Sequence, residues 1–121
     1  MNRGDIYLCR SLLLPNRDSA ARDDDVTARD KLVVILNDGA ITASATEVAV
    51  VIASTHSGAP RRSFEVIVGV NEGLKWSTVI DCRWPYTLRR SMLATERLIT
   101  TLNPSRMHEV SLALVVGLQL Q

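Results

Sequence analysis

Five short apolar runs separated by polar turns, and then one stretch with helical spacing, set the pattern of this chain. Residues 5–9 (DIYLC) are aromatic and aliphatic and predict a first strand led in by Gly4. Residues 15–30 (PNRDSAARDDDVTARD) lose all periodicity, which predicts a long polar loop. Residues 32–36 (LVVIL) form an uninterrupted run, too short for a helix and closed by Asn37, Asp38 and Gly39, and predict a strand buried on both faces. Residues 48–53 repeat that pattern. In residues 63–70 (SFEVIVGV) Phe64, Val66 and Val68 alternate with Glu65 and Ile67, and residues 78–82 (TVIDC) resume after an Asn-Glu-Gly turn.

The last third changes period. Asn103 is a helix N-cap followed by Pro104 at the first helical position, and Met107, Val110, Leu114 and Leu118 recur at steps of three and four. A shorter helical turn is expected around residues 87–93. Strands first and a helix last, without alternation, predict a mainly β (α+β) chain: an antiparallel, barrel-like sheet with helices on one side.

Length and composition narrow the class. A chain of 121 residues is one ordinary domain, so residues 1–121 are expected to fold as a single unit. An apolar fraction of 46% with 22% charged residues matches a globular protein, and no apolar run approaches the roughly 20 residues that span a bilayer. The opening MNRGDIYLCR has no long apolar core and no small-residue cleavage site, so no membrane association is expected and a cytoplasmic location follows by default. Cys9 and Cys82 lie in apolar surroundings and are expected to be reduced core thiols. The net charge of +1 conceals an acidic knot at Asp23, Asp24 and Asp25 and a basic group of Arg61, Arg62, Arg83, Arg89 and Arg90.

Several chemistries are excluded by what is missing. Neither a phosphate-binding glycine loop nor a dinucleotide fingerprint occurs. His56 and His108 are far apart and neither has a neighbouring cysteine, so no metal or other cofactor is expected. Ser54, His56 and Ser57 with Asp81 do not make a hydrolase triad, because the nucleophile-elbow motif is absent.

Three stretches carry a resemblance. The opening RGDIYL, the strand LVVILND after a polar loop, and the late pair GLKWSTV and LNPSRMHEVSLALVVGLQL resemble the MazF/PemK toxins of bacterial toxin–antitoxin systems, in order and spacing over nearly the whole chain. The resemblance implies a small SH3-like antiparallel β-barrel with a C-terminal helix. It implies a homodimer that binds a cognate antitoxin and cuts single-stranded RNA without a metal, the substrate's own 2'-hydroxyl attacking the adjacent phosphate. The protein's share is to align the backbone and offset the charge that builds on the phosphorane. The chain departs from the family at three places: Asp30 and Lys31 stand where an Arg-Pro pair is usual, Ala53 where a threonine is, and Tyr86 where an arginine is. These departures leave open a non-catalytic binding toxin of the gyrase-inhibiting CcdB type, or a relative that only binds an antitoxin.

The candidate catalytic residues are Arg29, Lys31, Ser54 and Thr55. Arg29 and Lys31 either face a phosphate or keep the start of a buried strand soluble, and moving one residue along a strand turns the side chain to the opposite face. Ser54 and Thr55 either serve the reaction or cap the strand locally. Arg17, His56, Arg61, Arg62 and Trp84 are the candidate RNA-binding set, by phosphate contact or by stacking an unpaired base, each against a bland alternative of solvated or packed side chains. Trp76 shares the stacking argument with Trp84.

Overall fold

The computed structural model describes residues 1–15 and 26–119. Six strands run in the order β1 (Asp5–Pro15), β2 (Val26–Ile35), β3 (Glu47–Thr55), β4 (Glu65–Val68), β5 (Thr78–Arg89) and β6 (Leu98–Thr101), with a short helix α1 (Gly39–Thr42) and a C-terminal helix α2 (Pro104–Gly117). They form one antiparallel sheet ordered β4-β5-β3-β2-β1-β6. The expected barrel is an open sheet whose edges are β4 and β6. Its two ends nevertheless approach: after β4 a 3-10 turn at Val70–Glu72 brings Glu72 against β6, where Thr100 Oγ1 donates to its carbonyl at 2.8 Å.

The sheet buries apolar side chains on both faces, which is why the central runs read as continuously apolar. On one face Ile6, Val34, Val51, Ala53, Val66 and Ile80 pack beneath α2, which contributes Met107, Val110 and Ala113. On the other, Tyr7, Cys9, Leu12, Leu14, Val33, Ile35, Val50 and Leu88 form a second cluster closed by Leu93. Cross-strand register places Leu32 opposite Ala53 and Val34 opposite Val51.

Helix α2 starts as predicted, the Asn103 side chain accepting from the Arg106 N–H at 2.8 Å with proline in the first turn. It ends at Gly117, so Leu118 lies outside it and is exposed, while Ala113 takes a buried place beside Val110. The predicted polar loop over residues 15–30 needs correction at both ends, since β1 runs on to Pro15 and β2 already begins at Val26, the two pairing through Val26 and Thr27 in a stretch without strand periodicity. The helical turn expected at residues 87–93 is half strand: β5 continues to Arg89, paired to Glu47, and only Arg90–Met92 turns as a 3-10 helix. β6 and α1 had no predicted counterpart, the first being four residues long and the second capped by the Asp38 carboxylate on the Ala40 N–H at 2.8 Å.

Candidate functional site

The middle of β2, at residues 30–32, and the end of β3 meet at a groove of about 480 Å³. Leu8, Leu32, Ala53 and Leu74 give it an apolar floor, and Lys75 and Trp76 stand at its mouth with Lys31, Ser54 and Thr55. Alternation along the strands puts Leu32 and Ala53 on one face of the sheet and Lys31 and Ser54 on the other. The two polar residues meet at the groove's edge, where Lys31 Nζ donates to Ser54 Oγ at 3.1 Å. An ammonium has three N–H groups, so two remain for an incoming oxyanion. Trp76 is held there by its backbone: the buried Thr78 hydroxyl donates to the Trp76 carbonyl at 3.0 Å, while the indole is 58% exposed.

The segment between β3 and β4 carries the basic candidates, and its polar groups are largely spent on its own shape. His56 Nε2 donates to the Ala59 carbonyl at 2.8 Å and Nδ1 faces the Ser77 hydroxyl at 3.2 Å. Arg61 Nη1 donates to the carbonyls of Arg62 and Glu65 at 3.1 and 3.0 Å. The Arg62 guanidinium lies 5.9 Å from the Phe64 ring centre. Arg83 stacks on the same ring at 4.2 Å and faces Trp84 at 5.4 Å, held by Asp81 through Nε at 3.2 Å and Nη2 at 2.8 Å. That hydrogen-bonded carboxylate raises the Arg83 pKa.

Of the candidates read from sequence, the structure therefore brings together Lys31, Ser54 and Thr55. Arg29 is exposed on β2 opposite Leu12 and does not line the groove. His56, Arg61 and Arg62 belong to the adjoining segment, and Trp84 stands in the irregular stretch of β5 between the Asp81 and Tyr86 pairings with β3. Arg17 lies outside the described residues. Tyr86 pairs with Val50 and packs against the second core cluster, away from the groove. Trp76, which shared the stacking argument with Trp84, is the tryptophan that lines the groove, and Lys75 beside it was not among the candidates, although a cation next to an aromatic two residues after the Asn-Glu-Gly turn is a visible signal. Among the described residues no group of three or more His, Cys, Asp or Glu side chains is placed to hold a metal ion, and no helix is long and apolar enough to cross a membrane.

No protein-family model and no curated protein sequence matches the chain. Solved structures do. An endoribonuclease in complex with its cognate antitoxin from a mycobacterial species superimposes with a TM-score of 0.70 at 18% identity, over 100% of this chain and 97% of that one. The Mycobacterium tuberculosis toxin MazF-mt6 gives 0.67 at 24% identity, over 77% and 90% of the two chains. MazF from Deinococcus radiodurans gives 0.68 at 15% identity, over 98% and 96%. The chain has the fold of the MazF-type toxins.

Proposed function

We propose that this chain, acting as one unit over residues 1–121, is the toxin of a toxin–antitoxin pair and a metal-independent, sequence-selective endoribonuclease for single-stranded RNA. The observation that carries the reading is the Lys31–Ser54 pair at the edge of an apolar groove with Lys75 and Trp76 at its mouth. The likeness in fold to a protein named an endoribonuclease and bound to its antitoxin supports the same assignment, and favours cutting over gyrase binding.

In this reading the substrate's 2'-oxygen bonds to phosphorus and the bond to the 5'-oxygen breaks, giving a 2',3'-cyclic phosphate and a 5'-hydroxyl. The proton lost by the 2'-hydroxyl is balanced by the one gained at the 5'-oxygen. Lys31 offsets the phosphorane's added charge, Ser54 fixes the amine and offers its own hydroxyl to a non-bridging oxygen, and Trp76 stacks a flanking base. The active form is a homodimer, and the antitoxin covers the groove.

The test is to incubate purified protein with a broad pool of single-stranded RNA in EDTA and map the ends. Cleavage at a short recurrent sequence with 5'-hydroxyl ends is expected. An untouched pool, or cutting that returns only with added divalent metal, would overturn the assignment.

A further inference from the structure

Tyr7, Cys9, Leu12 and Leu14 all join one core cluster, yet Cys9 and Leu12 are three residues apart and would point to opposite faces of a regular strand. The strand resolves this by a bulge: Cys9 pairs with Lys31 and Leu12 with Arg29, so Arg10 and Ser11 together oppose the single residue Asp30. Ser11 sits at φ +52°, a left-handed conformation that is costly for a residue with a Cβ. The Asp30 carboxylate compensates directly, its Oδ1 accepting the Ser11 N–H at 2.8 Å. Arg10, the other extra residue, is tied through Nε to Glu96 at 3.2 Å.

We infer that Asp30 is a positioning residue: its clasp on Ser11 fixes the bulge, and the bulge sets the direction in which the next residue, Lys31, reaches Ser54. A bulge raises local twist and re-aims neighbouring side chains, and Lys31 is both adjacent to Asp30 and paired to the last regular residue before the bulge. This also accounts for a carboxylate lining a groove that must admit phosphates: one of its oxygens is bound to backbone rather than presented to the ligand. The inference rests on the RNA-cutting reading for its catalytic consequence, but not for its geometry.

The test uses Asp30→Ala, Asp30→Asn, and Asp30→Ala combined with Ser11→Gly in the full chain. Two quantities are read: single-turnover RNA cleavage, and the rate at which an amine-reactive ester acylates Lys31, followed by peptide mass mapping without RNA. Asp30→Ala is expected to slow the chemical step roughly 10- to 100-fold, as a misplaced catalytic group does, with little change in KM, and to alter the Lys31 acylation rate. Asp30→Asn keeps an oxygen acceptor for the Ser11 N–H and is expected to restore both. Ser11→Gly is expected to restore them in part, because glycine adopts the left-handed backbone unaided. Alanine and asparagine remove the same charge, so their difference isolates the hydrogen bond. The proposal is overturned if Asp30→Ala leaves both quantities unchanged. It is also overturned if Asp30→Asn is as slow as Asp30→Ala and the pH–rate profile loses its acidic limb, which would make Asp30 a proton acceptor. If the unaltered protein cuts no RNA, the RNA reading fails by itself, and the acylation rates still decide the clasp.

Discussion

Lys31 donates to Ser54 and has N–H groups to spare, while Arg29, two positions earlier, points to solvent. At the scale of single residues this separates two cations that look alike in the sequence. Removing a donor aimed at a developing oxyanion costs about 10²- to 10³-fold in rate. Lys31→Ala is therefore expected to lose cleavage by that order in single-turnover assays, and Arg29→Ala to stay within a few-fold; equal losses would return Arg29 to the site. Trp76 makes a different prediction, because an exposed indole at the groove's mouth contributes to binding. Trp76→Ala should weaken affinity by about 1–3 kcal/mol, measured by fluorescence anisotropy with an RNA made uncleavable by a 2'-deoxy substitution.

At the scale of elements, the end of α2 lies close enough to β5 that only glycine fits. A Cβ on Gly117 would stand 2.6 Å from the Cys82 carbonyl oxygen and 3.1 Å from the Arg83 Cα, both backbone atoms that cannot turn aside. Gly117→Ala is expected to push the helix from the strand and to cost about 1–3 kcal/mol in urea unfolding, as overpacking does. The other end of the helix meets the opening RGDIYL. There Gly4, at φ +93°, leaves Met107 room, and the buried Asp5 accepts from the Asn2 N–H and the Thr101 hydroxyl at 2.8 Å each, which fastens β6 to β1. The motif at the start of the chain is thus a joint between strand, edge strand and helix.

For the whole molecule, burial on both faces of the sheet places each cysteine in a core. Burial, with Asp81 as a lesser cause, pushes the Cys82 thiol up to about 12, and burial also raises Cys9. An unfolded chain releases the Cys82 proton near 9, its ordinary value, while the folded chain holds it to about 12. Across that window the unfolded state binds fewer protons, so stability falls as pH rises from about 9 and the loss is complete near 12. Urea unfolding at increasing pH should show this decline, weakened in Cys82→Ala. At neutral pH neither thiol should react with an aromatic disulfide reagent until the chain unfolds.

Much of the fold is determined locally: the apolar runs fix where five of the strands lie, and Asn103-Pro104 fixes the start of α2, because alternation and capping depend only on near neighbours. Beyond their reach are the mixed, aperiodic stretch of residues 26–30, held as strand by its partner in β1, and β6, held by Asp5 and Thr101. The candidate site divides the same way. Lys, Ser and Thr near the apolar runs are visible as chemistry in the sequence, but which cation meets Ser54 depends on the register of β2 with β3, which sets Leu32 opposite Ala53 and so Lys31 beside Ser54. Trp76 reached the groove through the Thr78 contact and the turn at Gly73. The order of residues alone determines the mainly β architecture and the chemical groups available. Only the tertiary structure decides that Lys31 and not Arg29 stands at the groove, because the two share a strand face and only the register with β3, a strand distant in sequence, sets which of them lies beside Ser54.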